Sequence, residues 1–333
     1  NYVPQDNLIC RMTRERIDAL LRDCVEANFN MIRVWGGGYY PSDDFYDLCD
    51  RYGLIVWQDF MIACNGVWLT DSREENLMEE FRDNLLRIRH HACLGLLNGN
   101  NEVESAVATG KCPRGTALAV ADYMRLYHRL LPELCGNLAP DVFYWPSSPS
   151  SCQYFDGNPS DENRGDSHYW SVWHSWKPYE DYRNHYFRFC SEFGFEALPD
   201  LKTVEKFTLP KDRNLFSPVL LAHQKCRMGN GKIMSYLSDY YLYPQTFQGV
   251  VYGSQILQAD AIRTAVEHFR RNRGRCMGSL YWQLNDCWPT VSWSSVDSEG
   301  RWKALHFAAK KFYAPVLLSA HESGTTVTFN LSN

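Results

Sequence analysis

Apolar positions along this chain follow two periods that take turns. Over residues 13–29 they fall at helical spacing, with Ile17, Leu20, Leu21 and Val25 on one face and Thr13 placed as an N-cap. The short apolar run Asn30-Met31-Ile32-Arg33-Val34-Trp35 then stops at Gly36-Gly37-Gly38, which predicts a strand followed by a flexible loop. The same order returns twice. A helix from Ser42 to Arg51 precedes a strand over 54–60 that carries Asp59 near its end. A helix over 73–90 precedes the apolar run Cys93-Leu94-Gly95-Leu96-Leu97, which gives way to Gly99-Asn100-Asn101-Glu102.

Beyond Glu102 the pattern predicts a Gly/Lys/Pro-bearing loop, a helix over 116–134 and a strand over 142–146. Residues 147–166 are rich in Ser, Pro, Asn, Asp and Gly, the chemistry of a long substrate-side loop. Strands follow at 167–172 and 188–195, the second presenting Glu192. Helical stretches are expected around Thr203, over 219–228 and over 245–271, and a final strand over 276–284 ends in Asn285-Asp286. A helix over 302–312 is stopped by Pro315, and 316–331 reads as strand.

Strands alternating with helices argue for a parallel sheet covered on both faces, an α/β fold. With Tyr2-Val3 as the tail of a first strand there are eight strand candidates, which fits a (β/α)8 TIM barrel over residues 1–315. Residues 316–333 then begin a following β-sandwich-like domain. A doubly wound sheet is the alternative, but no Gly-x-Gly-x-x-Gly follows a strand. Gly36-Gly37-Gly38 lacks the spacing, and Gly229-Asn230-Gly231-Lys232 is followed by Ile233, so no phosphate loop forms. Asn1-Tyr2-Val3-Pro4 reads like the middle of a fold, so the expectation is a catalytic domain excised from a longer multidomain chain.

Composition narrows this picture. The 333 residues are 45% hydrophobic and 14% aromatic, ample for a core and suited to clefts that receive the apolar faces of sugar rings. A net charge of −5 without a basic block argues against nucleic acid as a partner. The cluster Arg270, Arg271, Arg273 and Arg275 suits a helix C-terminus instead. No run of about 18 apolar residues suggests a membrane partner. The 12 cysteines are scattered singly, several in apolar runs, which points to a reducing, cytoplasmic setting. Adjacent His90 and His91 do not face one ion easily, and no companion ligands occur at useful spacing; neither a metal nor another cofactor is expected.

Polar and aromatic residues collect at the C-terminal ends of the strand candidates: Arg33 and Trp35, Asp59, Asn101 and Glu102, His168 and Tyr169, Glu192, Trp282. In a barrel these ends share one face. Two acids on separate strands, Glu102 and Glu192, suit glycoside hydrolysis, in which one carboxyl donates a proton and the other attacks. Burial at the end of an apolar run is expected to keep Glu102 protonated, and Arg33 to hold Glu192 ionised. Retention requires the two carboxyls ~5–5.5 Å apart, inversion ~6.5–9.5 Å.

Five motifs in order, Arg33-Val34-Trp35-Gly36-Gly37-Gly38, Trp57-Gln58-Asp59-Phe60-Met61, Gly99-Asn100-Asn101-Glu102, Ser191-Glu192-Phe193-Gly194 and Tyr281-Trp282-Gln283-Leu284-Asn285-Asp286-Cys287-Trp288-Pro289, resemble the β-mannosidases of glycoside hydrolase family 2 from Asn1 to about Ser319. The resemblance implies a (β/α)8 catalytic domain and a retaining exo-β-mannosidase acting on β-mannosides. It makes Glu102 the acid/base and Glu192 the nucleophile. It also makes Asn101 the ligand of the sugar 2-hydroxyl, Arg33 the cation beneath the nucleophile, and Trp35 and Trp282 walls of the terminal sugar subsite. Asp59, His168 and Tyr169 join them as candidate substrate contacts. Family members carry β-sandwich domains ahead of the barrel, with which intramolecular contacts are expected, and the segment 103–110 lacks a tryptophan found in some relatives. The alternatives are another family 2 retaining glycosidase, acting on glucosamine, galactose or glucuronic acid, or a carbohydrate-binding barrel without catalysis.

Overall fold

A computed structural model of the chain describes residues 1–66, 68–111 and 116–333. They fall into two compact units, one of Asn1–Tyr2, Asn30–His168 and Phe187–Ser191, the other of Val3–Phe29, Tyr169–Tyr186 and Glu192–Asn333. Helix α1 (Arg14–Glu26) belongs to the second; Thr13 caps it as the sequence predicts, its side chain accepting the Arg16 N–H at 3.3 Å.

The first unit is built on a parallel sheet of β1 (Met31–Val34), β2 (Ile55–Asp59), β3 (Leu94–Asn98) and β4 (Phe143–Trp145), hydrogen-bonded in that order. Ile32 pairs with Val56, Val56 with Leu94, and Leu97 with Tyr144. Ile32, Val34, Val56, Trp57, Leu94 and Leu97 are buried, as in strands covered on both faces. Helix α2 (Asp43–Tyr52) buries Phe45, Tyr46, Leu48 and Cys49, and α3 (Asp71–Ile88) buries Phe81, Leu85 and Ile88; Phe81 packs on Phe60 with ring centroids 4.8 Å apart. The short α4 (Val103–Ala108) starts directly at Glu102. Helix α5 (Thr116–Arg125) runs through a π-helical turn, Leu126–Leu130, into α6 (Leu131–Leu138). The loop expected after Gly110 passes through 112–115, outside the described residues. Strand β5 (Ser167–His168) ends this unit's long central stretch, its Ser167 N–H donating to Phe189 O at 2.9 Å.

In the second unit α7 (Ser171–His174) follows at once, so the strand predicted over 167–172 ends at His168. Strand β6 (Cys190–Glu192) delivers Glu192 to this unit. Helices α8 (Leu201–Phe207), α9 (Pro218–Ala222), α10 (Gly229–Tyr240), α11 (Phe247–Arg271) and α12 (Ala304–Phe312) fill it. The helix predicted over 219–228 is cut short after Ala222, where Gln224 Oε1 accepts the Cys226 N–H at 2.7 Å and competes with the helical ladder. A hairpin of β7 (Leu317–Ser323) and β8 (Thr326–Ser332) ends the chain and meets α11, Arg271 donating to Ala320 O at 3.2 Å and Ser332 to Arg270 O at 3.3 Å.

Two expected strands are not regular. Tyr2 makes a single parallel bridge to Val34 in the first unit. In the second, the stretch 276–284 bonds one residue at a time, with Trp282 N–H on Phe193 O at 2.8 Å and Gln283 N–H on Trp293 O at 3.2 Å. Helices and parallel strands thus alternate, in an α/β arrangement. No described helix is long and apolar enough to cross a membrane.

Candidate active site

At the ends of β1 and β2 the first unit holds a fully buried polar hub. Asp59 is 0% exposed and accepts five hydrogen bonds: from Arg33 Nε at 3.2 Å and Nη2 at 2.8 Å, Gly36 N at 3.0 Å, Trp57 Nε1 at 2.9 Å and Asn98 Nδ2 at 2.7 Å. Both of its oxygens are therefore engaged by protein donors, Arg33 among them. Arg33 also donates to Asn101 Oδ1 at 2.7 Å and to Asn1 Oδ1 at 3.0 Å. With its oxygen taken, Asn101 turns its Nδ2 to Cys64 Sγ, to which it donates at 3.5 Å. Trp35 is folded over Gly37, where a Cβ would lie 1.9 Å from the indole, so a side chain at 37 would require the Trp35 ring to move.

Glu102 enters from β3 through a left-handed residue, φ 60°, immediately before α4. Asn100 holds that turn: Nδ2 donates to Pro146 O at 3.0 Å, while Oδ1 accepts from Val103 N at 2.9 Å and Ser147 Oγ at 2.7 Å. The Glu102 side chain is 33% exposed, so the expected burial is not what the structure provides. It provides His168 instead, with Nδ1 2.9 Å from Glu102 Oε1 and Nε2 2.9 Å from Ser148 Oγ. Ser148 donates in turn to Asp166 Oδ2 at 2.7 Å, so the imidazole carries its hydrogen on Nε2 and, when neutral, presents a bare Nδ1 to Glu102. That tautomer welcomes a protonated carboxyl; an imidazolium would instead bind the carboxylate. Asp166 also accepts from Ser191 Oγ at 2.6 Å, Trp145 Nε1 at 2.9 Å and Ser150 N at 3.1 Å.

In the second unit Glu192 is buried and its Oε2 accepts from Trp170 Nε1 at 3.2 Å. Tyr169 N–H donates to Glu192 O at 2.8 Å, and the Tyr169 hydroxyl donates to Asp181. Trp282 lies beside Gly194, where a Cβ would meet Trp282 O at 2.4 Å and the Trp170 ring at 3.1 Å. Trp170, Ser148, Asp166 and Asn98 were not singled out by sequence; the only signal was Trp170's place in the run His168-Tyr169-Trp170.

Away from these residues, His91 does have companions. Its Nδ1 lies 2.7 Å from Asp50 Oδ2, Asp50 Oδ1 accepts the Cys93 N–H at 2.6 Å, and ligand atoms of the three residues lie within 4.8 Å of one another. Sequence spacing missed Asp50 because it comes from the end of α2. The carboxylate is already bonded and burial pushes the Cys93 thiol up, so the trio is a capped strand entry before it is a metal site.

No protein-family model matches the chain. The Capra hircus protein named beta-mannosidase is 32% identical over 95% of this chain and 38% of its own length. Beta-mannosidase B of Thermothelomyces thermophilus is 35% identical over 95% of this chain and 39% of its own. The crystal structure of beta-D-mannosidase from Dictyoglomus thermophilum superposes with a TM-score of 0.93 at 34% identity, covering 99% of this chain and 40% of that one. The chain therefore spans about two-fifths of the length of these relatives.

Proposed function

Because the chain resembles the β-mannosidases of glycoside hydrolase family 2 along nearly its whole length, we propose that the protein it represents is a retaining exo-β-mannosidase. In this reading Glu192 attacks the anomeric carbon while Glu102 protonates the departing oxygen, and Glu102 then deprotonates the water that releases mannose. The observation that carries it is the hydrogen-bonded setting of Glu102: a carboxyl on a strand end, 2.9 Å from His168 Nδ1, with the other ring nitrogen held by Ser148 Oγ at 2.9 Å. Trp170 steadies the nucleophile. Asn101, with its oxygen on Arg33, turns its amide hydrogens to the sugar 2-hydroxyl, and Trp35 and Trp282 wall the terminal sugar. Arg33 is the cation of the site, oriented by Asp59. His168 positions Glu102 rather than binding sugar directly.

The same reading makes residues 1–315 a closed (β/α)8 barrel, with 316–333 opening the next domain. In this reading the full-length protein carries β-sandwich domains that pack on the barrel, which suits relatives of which this chain spans about two-fifths. A cytoplasmic setting suits the buried thiols of Cys24, Cys93 and Cys135, the last pushed up to about 12 by burial and so kept protonated.

The test is a panel of 4-nitrophenyl β-glycosides on the full-length protein, with the first product's anomer read by NMR. Hydrolysis of the mannoside with retention is expected. Glu102→Ala should slow substrates with poor leaving groups by about 10²–10⁴-fold, since those depend on the acid. Wild-type turnover by Glu192→Ala, or an inverted product, would sink the mechanism; preference for another sugar would sink the mannoside assignment alone.

A further inference from the structure

A buried carboxyl that no step of the mechanism uses lies one residue ahead of β5. Asp166 is 4% exposed, and its four hydrogen bonds are sorted by oxygen. Oδ1 accepts from two groups that can only donate, Trp145 Nε1 at 2.9 Å and Ser150 N at 3.1 Å. Oδ2 accepts from two hydroxyls, Ser148 Oγ at 2.7 Å and Ser191 Oγ at 2.6 Å. Both serines are fully buried. All these residues belong to the first unit, as do His168 and Glu102.

This sorting gives the hydrogen-bond chain a direction. A hydroxyl has one hydrogen, and that of Ser148 goes to a carboxylate that can only accept. Ser148 Oγ then accepts from its other neighbour, His168 Nε2, at 2.9 Å. With a hydrogen held at Nε2, Nδ1 is the nitrogen that takes up or releases a proton near neutral pH, and it lies 2.9 Å from Glu102 Oε1. A contact of that length is a hydrogen bond only while one proton lies between the two atoms, whichever of them carries it. Glu102 and His168 thus share a proton that can leave them. In the reverse direction, with Ser148 donating to Nε2, the only hydrogen of a neutral ring would sit on Nδ1, and a neutral imidazole does not release it near neutral pH.

We propose that Asp166, acting through Ser148, is a positioning residue for the acid/base Glu102: it sets the direction of the chain and so keeps the proton shared by Glu102 and His168 transferable. This rests on the glycosidase reading above and deepens it. In the first step Glu192 attacks, the bond from the anomeric carbon to the departing oxygen breaks, and that oxygen takes the electron pair and the shared proton. In the second, water attacks the anomeric carbon, the bond to Glu192 breaks, and a proton of the water restores the pair. The neighbouring ionisable groups of this unit are otherwise engaged. Glu104 accepts from the Tyr123 hydroxyl at 2.9 Å, Arg33 donates to Asp59 and Asn101, and the Cys64 thiol lies 3.9 Å from the other Glu102 oxygen. In the pH profile the nucleophile Glu192 sets the acid limb and Glu102 the alkaline one.

Asp166→Asn tests this by changing one atom. The amide oxygen has to stay on the Trp145 and Ser150 donors, so the NH₂ replaces Oδ2 and donates to Ser148, whose hydroxyl then turns to His168 Nε2. Ser191 has Ser167 O, at 3.3 Å, for its own hydrogen. The contacts survive and the direction reverses. On the full-length protein the alkaline limb of kcat/KM should move down by about one pH unit, because a fixed Nδ1–H favours the Glu102 carboxylate. The ratio of kcat/KM for phenyl β-mannoside, which needs the acid, to that for 2,4-dinitrophenyl β-mannoside, which does not, should fall about a hundredfold. A limb within about 0.3 unit of wild type, or a ratio within about threefold, means that Asp166 only secures its loop, and the proposal falls. Neutron diffraction from the full-length wild type reads the direction without a variant: a hydrogen on His168 Nε2 supports the proposal and a bare Nε2 overturns it. Wild-type protein that cleaves neither mannoside refutes the glycosidase reading instead, while the neutron result still decides the direction of the chain.

Discussion

Asp59 and Glu196 are both 0% exposed, and the protein treats the two carboxyls in opposite ways. Asp59, in the first unit, has five donors converging on two oxygens. Glu196, in the second, accepts from Gln224 Nε2 at 2.8 Å through Oε2, while Oε1 meets no partner among the described residues. Burial pushes Glu196 up to about 8. The nearby Lys303 does not rescue it by a direct bond, because its Nζ donates to Ala197 O at 3.2 Å and Ser292 O at 3.1 Å, and burial pulls it down to about 8. Equal burial therefore does not give two carboxyls equal surroundings; the donors aimed at each differ.

The sharpest way to break this contrast is to remove the partner of Asp59. Arg33→Met leaves a buried carboxylate without its counter-charge and is expected to cost about 3–5 kcal/mol of unfolding free energy, measured by urea denaturation. It should also release Asn101, which shares the same guanidinium. A cost below about 1 kcal/mol would mean that the neutral donors from Gly36, Trp57 and Asn98 suffice, and the contrast would lose its electrostatic basis.

Glu196→Gln is expected to work in the other direction, and pH reveals it. With a folded value near 8 against an ordinary 4.5, Glu196 holds its proton in the folded chain where the unfolded chain has lost it. Its stabilising effect is complete at low pH and fades as pH rises through 8. Asp286, raised to about 6 by burial, fades in the same sense but lower. His306, lowered to about 4 by burial, acts oppositely up to its ordinary 6.5, and Lys303 opposes only above its folded value near 8. Between pH 6.5 and 8 Glu196 dominates, so the wild type should lose about 1–2 kcal/mol across that interval and Glu196→Gln should lose much less. Parallel pH dependence of the two proteins in urea titrations would contradict the assignment.

How much of this was legible in the sequence follows from how far each partner lies along the chain. The helices were readable because their signal is local: Thr13 caps α1 and the apolar face of 245–271 becomes α11. The resemblance to β-mannosidases was readable because its motifs sit at strand ends in order, and the relatives bear it out. Strand regularity was not, since Cys276 to Leu284 is apolar enough for a ladder yet bonds singly. Nor was the setting of the acids. Glu102 was expected to be tuned by burial and is instead met by His168, which lies 66 residues away in sequence. What Asn100 does was not legible because its partners, Pro146 and Ser147, come more than forty residues later. Asp59 looked like a sugar ligand because its donors are scattered from Arg33 to Asn98.

The finest probe of the contrast is Asp166, which resembles Asp59 in having several donors but lacks a guanidinium. Ser191→Ala deletes one of four, the 2.6 Å bond to Oδ2, and leaves Ser148 on the same oxygen and Trp145 and Ser150 on the other. If donors are redundant, the loss should be that of one ordinary hydrogen bond, about 0.5–1.5 kcal/mol in urea titration, with no new dependence on pH. If instead Ser191 polarises Ser148, the effect should travel through Ser148 to His168 and appear as slower cleavage of mannosides with poor leaving groups. A loss above about 2 kcal/mol, or a selective loss on poor leaving groups, would show that what separates the carboxyls of the first unit from Glu196 is coupling among donors and not simply their number.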